Sequence, residues 1–307
     1  MKVAYWPGCV SRGFTPELHG AMAQVAPLLD IELVELNRAN CCGAGVIAEH
    51  SQELADTLNA RTFALAQKEI EQGADLMMNI CSTCQGAQTE CQQRLDASAA
   101  YRDEVNKHLT PEGLEYAKGL VNKNFLWVLV EELGLETLRG MVKRPLTDLR
   151  VGPFYGCYIV RPTDRLDIDD EHPRDTYLEQ VIEALGGTVV DYAGAQKCCG
   201  FPISLMQKET SFRMAGRHLG DAKDQGADCL VTPCPLCHLN LDMQQPVVSR
   251  TIGRELQMPV LHLPQLVGLA LGLDPKQLGL GRHIVKPTSV IDWTTSVVGS
   301  VGSLSAA

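Results

Sequence analysis

Apolar positions recur along the chain in two rhythms that alternate. Lys2 to Trp6 is a short run of strand-forming residues ending at Gly8. From Pro16 to Leu29 apolar residues return at helical spacing, and Ile31 to Leu36 is β-branched and alternating enough for a second strand. Ser51 stands where a helix cap would. Leu54, Leu58, Phe63, Leu65, Ala66 and Ile70 form a core face behind it, and Gly73 supplies the stop. Leu76 to Ile80 reads as a buried third strand and Thr83 to Leu95 as another helix. Such alternation implies a parallel sheet with right-handed crossovers.

The same order returns further on. Strands are expected near Val151 to Tyr155, Thr188 to Tyr192 and Cys229 to Thr232, and helices near Asp175 to Leu185, Ile203 to Gln225 and Leu239 to Gln244. The residues themselves repeat. Val3-Ala4-Tyr5-Trp6-Pro7-Gly8-Cys9 matches Val151-Gly152-Pro153-Phe154-Tyr155-Gly156-Cys157, and Gln72-Gly73-Ala74-Asp75 matches Gln225-Gly226-Ala227-Asp228. A fainter match pairs Phe125 to Leu129, leading to Leu133-Gly134-Leu135, with Pro264 to Leu269, leading to Leu271-Gly272-Leu273. The expected fold class is therefore α/β, with two repeated domains, each a small parallel sheet flanked by helices. Residues 1–150 form the first, with Ala97 to Arg150 as a helical insertion, and residues 151–283 the second. Ile284 to Ala307, rich in Ser, Gly and Val without helical period, reads as an arm or frayed tail able to dock on a partner.

Composition fits this picture: 45% hydrophobic and 21% charged residues over 307 positions suffice for two globular cores. The net charge of -10, from 37 acidic and 27 basic side chains without a Lys/Arg block, argues against nucleic acid as a partner. The most apolar stretches, Phe125 to Leu135 and Val260 to Leu273, are shorter than the roughly 20 residues of a spanning helix, so no direct membrane span is expected. The N-terminus shows no basic and apolar export signal, and a cytoplasmic location is expected.

Twelve cysteines in such a compartment point to metal or redox chemistry rather than a disulfide framework. Ten of them repeat: Cys9, Cys41-Cys42-Gly43 and Cys81-x-x-Cys84 recur as Cys157, Cys198-Cys199-Gly200 and Cys234-x-x-Cys237. Each cysteine group follows a predicted strand, so each set of five is expected along the carboxyl edge of one sheet, where open α/β folds bind ligands. Soft thiolates select zinc, copper(I) or iron-sulfur clusters. A structural zinc or an ordinary four-iron cluster takes four cysteines. Five per half suggests an enlarged or open cluster, or a four-ligand cluster with a spare reactive thiolate. Zinc in both halves remains an alternative. A thioredoxin-like C-x-x-C would leave three cysteines per half unexplained. Cys234 to His238 also matches the haem-attachment run C-x-x-C-H, but the equivalent run ends in Gln85. Cys91 and Cys229 fall outside the repeat and read as packed thiols.

The doubled pattern of lone Cys, Cys-Cys-Gly and C-x-x-C resembles the CCG cysteine-rich domain, and the two-domain layout resembles the B-type polypeptide of heterodisulfide reductase, including its counterparts in sulfur-oxidising complexes. The resemblance implies two non-cubane 4Fe-4S clusters, with Cys9, Cys41, Cys42, Cys81 and Cys84 holding one and Cys157, Cys198, Cys199, Cys234 and Cys237 the other. It implies an oxidoreductase subunit, active within a complex, that reduces or forms a disulfide-type bond in a small or protein-bound sulfur substrate. Iron-sulfur subunits of glycolate and lactate oxidation and of thiol-dependent fumarate reductases share the domains, so a non-catalytic electron-transfer role is the alternative. Many relatives carry a fused ferredoxin segment, and this sequence shows none. Electrons are thus expected to pass through a ferredoxin-like partner subunit similar to the C-type polypeptide of heterodisulfide reductase, with a flavin partner similar to the A-type polypeptide of that enzyme. Arg12, Arg161 and Lys197 stand near the cysteines and could steer an anionic thiol compound, or be solvated surface charges. His50 and Tyr158 are candidate proton donors.

Overall fold

The computed structural model describes residues 1–294. Two four-stranded sheets organise it, every pairing being parallel. The first contains β1 (Lys2–Trp6), β2 (Glu32–Glu35), β3 (Leu76–Asn79) and β4 (Asn122–Asn124) in the order β2-β1-β3-β4. The second contains β5 (Arg150–Pro153), β6 (Thr188–Val189), β7 (Cys229–Thr232) and β8 (Val260–His262) in the order β6-β5-β7-β8. The repeated α/β architecture expected from the sequence is the one observed. In each sheet the chain leaves the central strand first to one side and then to the other. A crevice consequently opens at the carboxyl ends of β1 and β3, and likewise of β5 and β7.

The local signals act as expected. Ser51 caps the Gln52–Glu71 helix by accepting the Leu54 N–H at 3.2 Å, and Gly73 takes a φ of +94° just beyond its end. Three expectations need correction. Each sheet has four strands rather than three, and the segment from Ala97 to Arg150 holds β4 as well as the helices Ala99–Leu109 and Leu135–Met141. Its faint likeness to the end of the second half reflects shared structure, because β4 leads into a helix at Phe125–Trp127 as β8 leads into Leu263–Ala270. Residues 284–294 are no frayed tail. Val290 and Trp293 are buried in the core, and Trp293 Nε1 donates to the Thr147 carbonyl at 2.8 Å. The remainder of the expected tail lies outside the described residues.

One apolar core runs beneath both sheets, from Val3, Tyr5 and Met78 to Val151, Val231 and Leu261. The Pro16–Val25 helix packs on the Leu263–Ala270 helix, where Gly268 allows the approach: a Cβ there would stand 3.0 Å from Val25 and 2.4 Å from Leu278. On the other flank the buried Arg174 grips the half-buried Glu131 with two hydrogen bonds, 2.6 and 3.1 Å, and lies 4.1 Å over the Trp127 ring. Together these contacts turn the carboxyl edges of the two sheets toward each other.

Candidate metal centre

Each sheet edge delivers five cysteines in the same way. Cys9 and Cys157 follow β1 and β5 after a glycine; Cys41-Cys42 and Cys198-Cys199 lie in the loops after β2 and β6. Cys81 and Cys234 precede the helices Ser82–Ala97 and Pro235–His238 that carry Cys84 and Cys237. All ten form a single line of neighbouring thiols. It runs Cys9, Cys41, Cys42, Cys84, Cys81, crosses to Cys234, and continues through Cys237, Cys199 and Cys198 to Cys157. The crossing is anchored by the backbone, since Ser82 donates N–H and Oγ–H to the Pro233 carbonyl at 3.1 and 3.3 Å. Thr83 Oγ1 lies 3.4 Å from Cys234 Sγ.

Exposure falls toward the centre of this line. Cys9 is exposed, Cys41, Cys157 and Cys198 are partly so, and the six inner cysteines are buried. Cys9 and Cys41 sulfurs are 3.6 Å apart, near the roughly 3.8 Å between two sulfurs held tetrahedrally at about 2.3 Å from one metal. Backbone amides point at the sulfurs: Gly43 N–H at Cys41 (3.5 Å), Gly200 N–H at Cys198 (3.4 Å), Phe201 N–H at Cys199 (3.4 Å) and Cys84 N–H at Cys81 (3.4 Å).

These contacts separate the thiols electrostatically. Hydrogen bonds from Cys42, Cys9 and the Gly43 amide hold Cys41 far below the ordinary thiol range, and Cys157, Cys199 and the Gly200 amide do the same for Cys198. Their neighbours move the other way. Cys42 is pushed up to about 12, chiefly by the bond to Cys41, while Cys9 and Cys157 are raised by bonds to Cys41 and Cys198 and then by burial. Ten thiols this close cannot all ionise unless cations replace their protons, which is how thiolate metal sites form.

Space is reserved beside the inner sulfurs by two glycines in equivalent places. Gly8 has φ +80° and Gly156 φ +77°, which side chains rarely adopt. A Cβ on Gly8 would stand 3.8 Å from Cys84 Sγ, and one on Gly156 only 2.8 Å from Cys237 Sγ. Thiolate donors, amide-to-sulfur hydrogen bonds and backbone without side chains fit a bulky inorganic cluster in each half.

The remaining sequence candidates stand apart from this line. Arg12 pairs with Glu35 and donates to Asn37 at 2.8 Å. Arg161 is exposed and donates to the Gln196 carbonyl at 2.6 Å; Lys197 and His50 are exposed. Tyr158 is half-buried and lies over Gly86, where a Cβ would meet Tyr158 Cδ1 at 2.3 Å and its carbonyl oxygen at 2.7 Å. The tyrosine after the first cysteine of one half therefore covers the C-x-x-C helix of the other. Cys91 and Cys229 are fully buried in the apolar cores. Sequence reasoning missed the buried set Glu17, His238, His262 and His283 beside the second C-x-x-C. His238 alone stood out, as part of a haem-like run.

Comparison with known proteins accords with this geometry. The model of the CCG cysteine-rich domain matches twice, over residues 3–87 and 151–242. The chain belongs to the CCG cysteine-rich domain family. It is similar to the 8-methylmenaquinol:fumarate reductase membrane anchor subunit of Wolinella succinogenes, at 35% identity over 94% of this chain and 99% of that protein. It is also similar to the B-type polypeptide of a ferredoxin/F420H2-dependent CoB-CoM heterodisulfide reductase from Methanosarcina acetivorans, at 29% identity over 93% of this chain and 94% of that one. Among solved structures, a hypothetical protein from Helicobacter pylori shares the fold, with a TM-score of 0.73 and 16% identity; the match covers 93% of this chain and 52% of the other. None of the helices among the described residues is long and apolar enough to cross a membrane.

Proposed function

We propose that this CCG protein is the iron-sulfur subunit of an oxidoreductase complex in which a disulfide-type sulfur bond is reduced or formed. Cys9, Cys41, Cys42, Cys81 and Cys84 would hold one non-cubane 4Fe-4S cluster, and Cys157, Cys198, Cys199, Cys234 and Cys237 the other. When bound, such clusters supply one-electron storage at two adjacent places and iron with affinity for sulfur. The observation that carries the reading is the unbroken line of ten thiols through Cys81 and Cys234. Opening a disulfide to two thiols takes two electrons and two protons, and a cluster on each half of this line would give two electron stores side by side at a buried junction. The solvent-facing ends at Cys9 and Cys157 leave room for a substrate or partner to approach. The amides of Gly43 and Gly200 point at the Cys41 and Cys198 sulfurs at 3.5 and 3.4 Å. Electrons would be exchanged with a ferredoxin-like partner similar to the C-type polypeptide of heterodisulfide reductase, itself served by a flavin protein similar to the A-type polypeptide.

A second reading, electron relay without sulfur chemistry, is favoured by one observation, the 35% identity to a fumarate reductase anchor protein. Electron paramagnetic resonance of the anaerobically purified, oxidised protein separates the two. A thiol or disulfide that binds at a cluster changes the spectrum; an unaltered spectrum across a panel of sulfur compounds refutes sulfur chemistry and leaves the relay. Iron analysis tests both, since about eight irons per chain are expected for two 4Fe clusters, and zinc in their place would sink either reading.

A further inference from the structure

Behind the second C-x-x-C lies a buried cluster that the cysteine chemistry does not use. Glu17 comes from the first turn of the Pro16–Val25 helix, His238 directly follows Cys237, His262 ends β8, and His283 follows a short turn at Leu280–Arg282. The His238 and His262 rings stack with centroids 3.8 Å apart, inclined by 23°. His238 Nε2 faces His283 Nδ1 at 3.4 Å, and His283 Nε2 meets Gln265 Nε2 at 2.9 Å. Glu17 Oε1 stands 3.4 Å from His262 Nε2, while Arg282 Nε lies 3.3 Å from Glu17 Oε2. Nδ1 of His238 and Nδ1 of His262 make no well-formed hydrogen bond, although the residues are only 3% and 0% exposed; the His262 side chain faces the Gln265 backbone N–H and the His238 ring the backbone of Val260. A buried polar atom without a partner is costly and calls for a ligand.

The first half provides an internal control. Asn79 pairs in register with Asn124 as Thr232 pairs with His262, and Gln85 follows Cys84 as His238 follows Cys237. In that half the position is filled by neutral amides that satisfy one another. Asn79 Nδ2 donates to Gln85 Oε1 at 2.6 Å, and Asn124 Nδ2 donates to Asn79 Oδ1 at 3.0 Å. The second half replaces Gln and Asn by two imidazoles and adds a carboxylate from across the join.

We propose that Glu17, His238 and His262 bind one divalent cation of the zinc class at the join between the halves. Two imidazoles and one carboxylate are a recurrent three-ligand set for that ion. One potential ligand atom from each residue lies within 4.8 Å of the others, so a modest inward shift of three side chains closes the site. His283 and Gln265 brace the His238 ring from outside, as supporting hydrogen bonds do in metal sites. Asp242 is not a competing ligand, because its oxygens already accept the Ile284 and Val285 N–H groups at 2.9 and 3.1 Å. The cation would place a fixed positive charge beside the second thiol set, with no counterpart beside the first.

The test uses the full chain, purified anaerobically, with every metal counted by mass spectrometry and Co2+ as an added probe. About one non-iron divalent cation per chain is expected. In wild-type protein, Co2+ should give d–d bands without sulfur-to-cobalt charge transfer. Glu17→Gln should abolish that uptake while iron stays unchanged. His238→Gln with His262→Asn, which rebuilds the amide arrangement of the first half, should abolish it as well. Uptake of a nitrogen- and oxygen-ligated cation that persists in both variants, or a wild-type chain that takes up neither zinc nor Co2+, would overturn the proposal. Because both variants keep all ten cysteines, the difference from wild type reports the cation at Glu17, His238 and His262 whatever the cysteines hold.

Discussion

Alanine at Gly156 and at Gly8 should have unequal consequences, although the two glycines occupy the same place in the repeat. Both have positive φ, +77° and +80°, so each alanine carries a backbone cost of about 1–2 kcal/mol. The surroundings differ. The new methyl at position 8 would lie 3.8 Å from Cys84 Sγ, an ordinary contact, whereas at position 156 it would lie 2.8 Å from the buried Cys237 Sγ. Overfilling a packed interior adds about 1–3 kcal/mol. Gly8→Ala is therefore expected to lower the stability of the chain by about 1–2 kcal/mol, and Gly156→Ala by about 2–5 kcal/mol. Urea denaturation under anaerobic, reducing conditions measures both. Iron per chain gives an independent readout: Gly156→Ala moves the Cys237 sulfur and should lose about half of the iron, while Gly8→Ala keeps nearly all of it. Equal losses in the two variants, or a larger one at Gly8, would refute the argument that contact with the sulfur decides the outcome.

Cys84→Ala and Cys237→Ala should each remove about half of the iron, and Cys91→Ala should leave it intact, as measured by iron and sulfide analysis. Loss of iron in neither of the first two would undo the ligand assignment. Gly86→Ala drives a methyl into the Tyr158 ring and carbonyl, and should destabilise the chain by about 2 kcal/mol or more in urea titrations. Tyr158→Ala should rescue it only partly, because the carbonyl clash remains. Burial alone would raise the Glu131 carboxyl, but hydrogen bonds from Arg174 and Lys123 prevail and hold it below its ordinary 4.5. Its stabilisation is thus present above pH 4.5 and lost as pH falls through the lower folded value. Glu131→Gln should cost about 3 kcal/mol at neutral pH, with a gap to wild type that narrows below pH 4.5; a gap independent of pH would contradict the ion-pair account.

What the sequence revealed followed the strength of each local signal. β1, β3, β5 and β7 were legible because their apolar runs end at turn residues, and the cysteine groups because they recur in one order. β4 escaped because Asn122-Lys123-Asn124 is polar and only three residues long. Its asparagines are buried by bonds to Asn79, Gln85 and Gln88 that come from distant positions. β8 was hidden inside the apolar stretch that continues as the Leu263–Ala270 helix. The histidine cluster was invisible for a related reason. Glu17, His238, His262 and His283 each look ordinary in their own segment, and only the join between halves assembles them. Residues 284–294 were misjudged because Val290 and Trp293 find their burial in a core assembled from distant parts of the chain rather than in a periodic face of their own.

The way each half covers the cysteines of the other bears on ancestry. Tyr158 of the second half closes over Gly86 of the first, the Cys9–Gly13 helix lies against the Pro235–His238 helix, and Ser82 meets Pro233 at the centre. Contacts exchanged reciprocally between equivalent places describe an isologous interface, the kind two identical protomers make about a two-fold axis. Two copies of a single half could have closed in this manner before any fusion joined them. Once fused, the copies were free to diverge on either side of the axis, amides on one and imidazoles on the other. By the same logic, a gene cut back to one half should yield a protein that dimerises rather than a monomer with one finished site.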